Sequence, residues 1–334
     1  MVKRYHVYGV GAALVDTKID VTDDDLEMMK IGKGRMTLVN ETQRKQLLDY
    51  LTNHMIYAKR TSGGSTANSL IAINQFGGQT FYSCKVGNDD NGRFYLNDLK
   101  NAGVDYNLDK YEDKDMTGTC LVLVTPDAER TLCSFLGVNA TQSENDINPE
   151  AIIVSDYVYI EAYMIMSQPT FNAAIRICDI AQLNNGKIAM SFSDAGILIT
   201  FRDRLREILK KPIDLLFCNQ YEALNWAETD NIDIAIDSLK KIAHTFAITF
   251  GADGALVYDG IQMHTIEPYK VHAIDTTGAG DMFAGAFLFG ITQGKDFPTA
   301  GKLACLAAAA VVSNHGPRLT AEQQQEILRE WNSL

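Results

Sequence analysis

The stretch DTTGAGDMFAGAF, residues 275–287, is the most informative part of this sequence. Gly278, Ala279 and Gly280 have almost no side chain, and they stand directly before an apolar run that continues to Phe287. A segment that is apolar on nearly all sides is typical of a helix inside a core. The sequence therefore predicts a glycine-rich turn that opens a buried helix.

The predicted helix start is suited to an anion. Small residues let an anion reach the backbone N–H groups, where unpaired donors and the helix dipole both favour negative charge. Asp281 in the first turn adds a carboxylate that can take a proton from a hydroxyl group as a phosphoryl group arrives. The alternative is a plain turn in which Asp281 only caps the helix. Seven consecutive fitting residues before an apolar helix favour Asp281 as a catalytic residue beside an anion site at 278–280.

Composition excludes several classes of protein. Of 334 residues, 46% are hydrophobic and 22% charged, so we expect a folded core rather than disorder. A formal net charge of −12 argues against non-specific binding to nucleic acid or to an anionic membrane. The longest apolar run, 303–312, is far shorter than the roughly 20 residues of a membrane-spanning helix. We expect a cytoplasmic protein whose six scattered cysteines are buried thiols.

The second half of the chain alternates short apolar runs with helical periodicity. This alternation is typical of βαβ units and predicts a mostly parallel sheet with helices on both faces. The predicted strands are 157–160, 187–192, 213–218 and 245–250, and the predicted helices are 170–183, 201–209 and 232–244.

The first half departs from this rhythm. Short predicted strands at 17–21 and 36–39 flank a helix at 23–30, and strands at 118–125 and 130–136 flank a turn. We predict that they form a separate small β-sheet, built from two excursions of the chain at about 14–40 and 112–137. Helices at 40–57 and 65–76 and a strand at 80–86 lie between the excursions. One irregular domain with long hairpin insertions is the alternative.

Several motifs together resemble one family. Residues 275–283 resemble the C-terminal signature of the ribokinase-like (PfkB) carbohydrate and nucleoside kinases. Similar matches to that family's other motifs occur at 63–68, 85–92, 219–222 and 248–255. The resemblance covers residues 1–334 and implies one ribokinase-like α/β domain, in which the small β-sheet is a discontinuous lid. Segments 11–16, 33–38 and 125–131 are most similar to bacterial adenosine-kinase-like members.

The resemblance implies a set of acceptor-binding residues. Asp16 would accept two adjacent sugar hydroxyls, and Gly63 and Gly64 would form the lid hinge. Asn68 can both donate to and accept from a hydroxyl group, and Glu161 corresponds to a family carboxylate near the sugar or the phosphate. Taken singly, a loop aspartate, a turn and an exposed asparagine are equally good interpretations of the first four.

The resemblance also implies a nucleotide side. Asn219 and Glu222 stand three apart at a predicted helix start, so both can face one spot. In the family such a pair organises Mg²⁺ and phosphate, usually through water, although Glu222 alone equally fits a partner of the helix dipole. Thr249, Gly251 and Gly254 resemble groups that line the ATP phosphates and ribose.

Two further ligands follow from the family. Asn314 is a candidate for the adenine edge, although a helix C-cap before Gly316 is slightly favoured. Asp275 and Thr277 are candidates for a monovalent cation such as K⁺, as in some relatives. ATP and Mg²⁺ are the cofactors that the resemblance implies directly.

Some residues depart from the family pattern. Ala12 stands where many adenosine-kinase-like members have asparagine, and 193–195 replaces a stretch typical of sugar kinases. A nucleoside also needs an apolar slot for its base. Phe135 and Met36, on predicted lid strands, are candidates for that slot, with a place in the lid core as the alternative.

These observations predict a magnesium-dependent ATP kinase acting on the primary hydroxyl of a ribonucleoside, adenosine first, with Asp281 as general base. A free-sugar kinase for ribose or fructose, a silent ligand-binding relative and an interaction protein are the alternatives. The chain is expected to be a monomer or a homodimer paired through its lids, because the small sheet has an exposed edge.

Overall fold

The computed structural model describes residues 3–54, 59–107, 115–127 and 129–331. Strands are numbered in chain order: β1 (Tyr5–Val10), β2 (Leu14–Asp20), β3 (Met36–Leu38), β4 (Lys59–Gly63), β5 (Thr80–Ser83), β6 (Asp105–Tyr106), β7 (Gly118–Val124), β8 (Arg130–Phe135), β9 (Ser155–Glu161), β10 (Lys187–Ser191), β11 (Ile213–Asn219), β12 (Ala243–Thr249), β13 (Ala255–Tyr258) and β14 (Met263–Ile266).

Helices are numbered in the same way: α1 (Asp23–Met29), α2 (Glu41–Tyr50), α3 (Ser65–Gln75), α4 (Asp90–Asn101), α5 (Pro149–Ile153), α6 (Gln168–Leu183), α7 (Ala195–Thr200), α8 (Arg202–Ile208), α9 (Gln220–Ala227), α10 (Ile232–Leu239), α11 (Ala279–Thr292), α12 (Phe297–Val312) and α13 (Ala321–Trp331). Within the described ranges, none of these helices is both long and apolar enough to cross a bilayer.

A large sheet forms the centre of the fold, in the order β14-β13-β12-β11-β10-β9-β1-β5-β6. From β12 to β6 all neighbours are parallel, and β13 and β14 add an antiparallel edge. Side chains alternate between its faces: Tyr159 packs with α3, α11 and α12, whereas Val158 packs with α6. Because both faces are covered, the central strands β1, β9, β10 and β11 are mostly apolar and buried, as in other parallel sheets. The predicted α/β class is confirmed.

A second sheet, called the small sheet below, has the order β3-β8-β7-β2-β4. One face packs on α1 and α2 through a cluster that includes Ile19, Leu26, Leu47 and Leu121. Because side chains alternate along a strand, the residues between these face the other way. That second face, with Asp16 on it, looks onto the carboxyl ends of β1 and β9.

The small sheet differs from its prediction in one strand. β4 pairs antiparallel with β2, so three segments of chain build the sheet instead of two excursions. The sequence KRTSG carries no apolar alternation, and antiparallel backbone pairing with β2 attaches it to the sheet edge. Residues 112–114 and 128 of the second excursion lie outside the described residues.

Several predicted helices have other bounds. The predicted helix 40–57 is α2 followed by a 3₁₀ turn at Leu51–Asn53, and residues 55–57 lie outside the described part of the chain. The predicted helix 201–209 is the second of two short helices, α7 and α8. The predicted helix 232–244 ends at Leu239, because β12 already begins at Ala243. Apolar periodicity continues from α7 into α8 and from α10 toward β12, so it could not locate these two boundaries.

Candidate active site

A cavity of about 270 Å³ lies between the carboxyl edge of the large sheet and the open face of the small sheet. In open parallel sheets this edge is where ligands bind. Asp281 and Asp16 supply two carboxylates, and the wall formed by the small sheet is mostly apolar but also carries Asp16, Arg130 and Ser134. Its apolar side chains include Leu14, Met36, Leu38, Val122 and Leu132.

Asp281 stands in the first turn of α11, partly exposed to this cavity. Its carboxylate accepts hydrogen bonds from Ser65 Oγ at 2.6 Å and from Asn68 Nδ2 at 2.9 Å, both on α3. Burial raises the pKa of Asp281 above its usual range, and these hydrogen bonds and the charge of Arg318 oppose the rise. The result is an ionisable, oriented carboxylate of enhanced basicity, which suits a general base.

The helix start beside Asp281 has the predicted turn. Gly278 adopts φ 73°, in the left-handed region, and a Cβ there would lie 2.5 Å from the Cβ of Pro317. The first helical hydrogen bond is donated by Met282 to the Gly278 carbonyl, so the preceding N–H groups lie ahead of the helical ladder. Ala279 N–H makes a 3.3 Å turn contact with the Thr276 carbonyl. A Cβ on Gly280 would meet nothing within 4 Å.

Asp16 reaches the same cavity from β2. Burial raises the pKa of its carboxyl to about 7; the charge of Arg318 lowers it and that of Asp281 raises it. Within the described residues it has no hydrogen-bond partner. Gly63 lies against it, since a Cβ at that position would sit 2.2 Å from Asp16 Oδ2. Asp16 is therefore a half-buried acceptor that a ligand donor can satisfy.

Glu161 and Asn68 are engaged by the protein itself. The Glu161 carboxylate is 1% exposed and accepts the backbone N–H groups of Ala12 and Thr66, each at 2.9 Å. Burial raises the pKa of Glu161, and these bonds oppose the rise. Asn68 is buried rather than exposed: its amide nitrogen donates to Asp281, and its oxygen accepts from Arg318 Nε at 3.1 Å. Both residues line the cavity, and their acceptor contacts stay a prediction.

The glycine pair precedes α3 as predicted. Gly64 adopts φ 98° and approaches the Ala12 carbonyl so closely that a Cβ would lie 2.3 Å from its oxygen. The Gly63 carbonyl accepts a hydrogen bond from Tyr95 at 2.9 Å. The pair thus joins β4 of the small sheet to the helix that carries Ser65 and Asn68.

Phe135 was predicted to line the slot for the base, and this prediction is wrong. Its ring lies on the face of the small sheet away from the cavity, 5.5 Å from the Arg44 guanidinium carbon. Because side chains alternate along β8, Arg130, Leu132 and Ser134 face the cavity and Phe135 cannot. Met36 does line the cavity.

On the nucleotide side, Asn219 and Glu222 form a reciprocal cap at the start of α9. Glu222 accepts from the Asn219 backbone N–H at 2.9 Å and from its amide at 3.0 Å, and Asn219 accepts from Glu222 N–H at 2.8 Å. Burial raises the pKa of Glu222 to about 7. Thr249 ends β12 next to this cap, and Gly251 and Gly254 bound the 3₁₀ turn that follows.

Asn314 follows α12, and its amide is occupied. The nitrogen donates to the Ala310 carbonyl at 2.8 Å, and the oxygen accepts from Gln323 at 3.1 Å. The C-cap of α12 is Ser313, so Asn314 lies one residue beyond the predicted cap position, and an adenine contact stays a prediction.

Asp275 is surrounded by donors and cations. It accepts the N–H groups of Thr277 at 2.9 Å and Gly316 at 3.1 Å, and its carboxylate lies 3.5 Å from Arg130 and 3.6 Å from Lys18. Although burial opposes the change, the hydrogen bonds and the Arg130 charge lower the pKa of Asp275 to about 2. Both cations come from the small sheet, on β8 and β2.

Three basic residues of this site were missed by sequence analysis. Arg130 also donates to Thr276 Oγ1 at 2.9 Å, so it bridges the small sheet to the glycine-rich turn. Arg318 and Lys18 make the contacts described above. A single arginine or lysine in a loop or strand carries no spacing signal, and only the fold shows which carboxylates it meets.

Phosphoryl transfer to an alcohol is the chemistry that this geometry serves, because it requires an anion-binding turn, an adjacent base and a place for the acceptor. Residues 27–324 match the model of the family described as "pfkB family carbohydrate kinase". The chain belongs to this family and is a kinase of the nucleoside or sugar class.

Solved structures and sequence relatives agree. A probable sugar kinase from Rhizobium etli is 28% identical with a TM-score of 0.92, and each chain is covered completely. Adenosine kinase from Sinorhizobium meliloti is 29% identical with a TM-score of 0.91, covering 98% of this chain and 99% of the other. Adenosine kinase 2 from Arabidopsis thaliana is 27% identical, covering 92% and 94%. The predicted ribokinase-like fold is confirmed.

The glycine-rich turn gives a paired prediction. Gly278→Ala places a Cβ in the left-handed region and against Pro317, so we expect a loss of about 1–3 kcal/mol of stability and of about 10²–10³ in turnover. Gly280→Ala meets no atom, so it should unfold at the wild-type temperature while still obstructing an anion. Thermal unfolding and initial rates separate the two. Full turnover in Gly280→Ala would show that no anion approaches that residue.

The raised pKa of Asp16 predicts that the free energy of unfolding depends on pH. Its folded pKa of about 7 lies above the usual value near 4, so the wild type loses stability as pH rises from 5 to 8. Asp16→Asn cannot ionise, and its free energy of unfolding relative to the wild type should increase by about 1–2 kcal/mol over that interval, after allowing for partial exposure.

Urea unfolding at pH 5 and pH 8 measures this difference. Asp20→Asn, at the exposed end of the same strand, is the matched control and should show no trend. A difference that stays flat for Asp16→Asn would contradict a raised pKa for the Asp16 carboxyl in the folded state.

Proposed function

We propose that the protein transfers the γ-phosphoryl group of ATP to the primary hydroxyl of a ribonucleoside, with adenosine as the preferred acceptor. The observation that carries this proposal is the two-sided cavity in front of Asp281. It offers the carboxylates of Asp16 and Asp281 and, on the small-sheet wall, a group of aliphatic and thioether side chains. The adenosine kinases among the similar proteins support the same choice.

The cavity has a polar part and an apolar part, which match the ribose and the base of a nucleoside. Vicinal ribose hydroxyls are donors, and the Asp16 carboxylate is an acceptor without a protein partner among the described residues. A purine needs an apolar slot, which Met36, Leu38 and Leu132 supply. A free pentose is polar on all sides and would leave that wall in contact with water, which costs free energy.

Asp281 would act as the general base. Its two hydrogen bonds from α3 fix the carboxylate, so it can take the hydroxyl proton as the oxygen attacks phosphorus. The N–H groups at the start of α11 would stabilise negative charge on the phosphoryl oxygens, without reorganisation during the reaction. The raised pKa of Asp281 makes it a stronger base than an exposed aspartate.

The residues present fit a magnesium ion held mainly by phosphates and water. No cluster of three acidic, histidine or cysteine ligands occurs in the described ranges. Glu222, whose oxygens are both engaged by Asn219 and whose pKa is raised mainly by burial and also by Asp194, would contact the ion through water. When bound, Mg²⁺ neutralises charge on the transferring phosphates.

The surroundings of Asp275, in contrast, do not fit a monovalent cation. Both carboxylate oxygens accept backbone N–H groups, and Arg130 and Lys18 already supply positive charge there. K⁺ therefore has no step in this mechanism.

The small sheet would serve as the lid. Arg130 and Lys18 connect it to the 275–277 turn on one side of the cavity, and Gly63 and Gly64 connect it to α3 on the other. Its apolar face would exclude water from the acceptor, so that phosphate passes to the hydroxyl group rather than to solvent.

A substrate panel tests the acceptor. Purified protein is assayed for ADP release with ATP and magnesium on adenosine, inosine, ribose and fructose. We expect kcat/KM for adenosine to exceed that for either free sugar by at least about 10²-fold, the scale of a lost apolar pocket. Higher kcat/KM for ribose or fructose would refute the nucleoside assignment while leaving the kinase class intact.

A single substitution tests the base. Asp281→Asn should retain the fold and ATP affinity and reduce turnover by about 10²–10⁴, because the amide cannot take a proton. Asp296→Asn is the matched control: it also changes an aspartate at a helix start, the N-cap of α12, and should turn over at the wild-type rate. Near-wild-type turnover by Asp281→Asn would remove the assignment.

A further inference from the structure

Three successive residues after α12 each contact a different part of the site. Gly316 N–H donates to Asp275, and Pro317 packs against Gly278 so closely that no Cβ fits there. Arg318 then reaches α3. The segment 316–318 thus touches the glycine-rich turn and the helix that orients the base, although it contributes no group to the chemistry described above.

The guanidinium of Arg318 binds three elements at once. Nε donates to Asn68 Oδ1 at 3.1 Å, Nη2 donates to the Ser62 carbonyl of β4 at 2.6 Å, and Nη1 pairs with Asp98 of α4. The side chain is only 19% exposed. A planar fork of donors satisfies such a set, whereas an ammonium group on a flexible chain cannot reproduce it.

The contact with Asn68 has a directional consequence. An asparagine side chain can point either end of its amide at a neighbour, and arginine is only a donor. With its oxygen held by Arg318, the Asn68 amide must turn its nitrogen toward Asp281, at 2.9 Å. The reverse orientation would set an oxygen against the carboxylate and remove one of its two hydrogen bonds.

The contact with Ser62 links the same guanidinium to the small sheet. Ser62 precedes Gly63 and pairs with Val15 of β2, two positions from Ala13 and next to Asp16. Arg318 therefore holds the end of β4 in place relative to α3, where both donors to Asp281 stand.

We propose that Arg318 is a positioning residue for phosphoryl transfer: it fixes the orientation of the Asn68 amide and thereby the hydrogen bonding of Asp281. This inference rests on the proposed role of Asp281 as base. The positive charge of Arg318 also favours the ionised form of Asp281, since it opposes the rise that burial causes in its pKa.

Loss of Arg318 should change rate and pH dependence together. We expect Arg318→Gln to lower kcat by about 10–100-fold, the effect of a small misplacement at the reacting centre, with KM for ATP within about twofold of wild type. The acidic limb of the kcat profile should move to higher pH, because Asp281 loses a nearby positive charge. The groups that face Asp281 are Asp16 on β2, Tyr159 and Glu161 on β9, Tyr163 after it, and Arg318.

Arg318→Lys separates charge from geometry. It keeps the positive charge but not the fork, so the acidic limb should return toward its wild-type position while kcat stays reduced. Asp98→Asn weakens the anchoring of Arg318 without touching Asn68, and thermal unfolding of all variants reports damage to the fold.

A double-mutant cycle decides the matter. If Arg318 acts on the rate through Asn68, then Arg318→Gln combined with Asn68→Ala should lose no more kcat than Asn68→Ala alone, with each kcat taken on the pH plateau above the acidic limb. Multiplicative losses in the double variant, or an unshifted pH profile in Arg318→Gln, would overturn the proposal. Because Asp281→Asn is measured in parallel, an active Asp281→Asn enzyme would instead indicate failure of the proposed base.

Discussion

The two hydrogen bonds from α3 to Asp281 are the constraint on which the site depends. Ser65 and Asn68 bind a carboxylate in the first turn of α11, so the start of one helix is fixed against the start of another. The chain enters α3 from β4 of the small sheet, and it enters α11 from the glycine-rich turn. The cavity wall and the glycine-rich turn are therefore held around one side chain, and both lie where the parallel strands end.

The carboxylates of this region are stabilised in different ways, which indicates their different roles. Glu161 is satisfied by two backbone N–H groups, Glu222 by its own helix cap, and Asp275 by backbone donors and two cations. Asp281 accepts two hydrogen bonds from side chains of α3 and stays partly exposed to the cavity. Among these carboxylates, Asp16 has no hydrogen-bond partner in the described part of the chain, and burial raises its pKa to about 7. In the proposed function, hydrogen-bond donors of the acceptor would satisfy this carboxylate.

The large sheet and the turn at 275–281 were predictable because strong local signals encode them: apolar runs for β9 to β12 and small residues before an apolar helix. β4 was not, since KRTSG has no apolar pattern and depends on its partner β2. Phe135 was assigned to the wrong face because no register was available to set the alternation of β8. Arg318 lies 250 residues from Asn68, and no local pattern indicates such a contact.

Arg130 and Lys18 have a consequence for the empty enzyme. Both belong to the small sheet, and both neutralise a carboxylate that belongs to the other body of the protein. If that sheet swings outward, Asp275 stays behind in a poorly hydrated place with its counter-charges removed, which is costly. If the small sheet serves as the proposed lid, these ion pairs would favour its closed arrangement even without ligand. Admission of the acceptor would then be sensitive to ionic strength, because dissolved ions weaken the attraction that opposes opening.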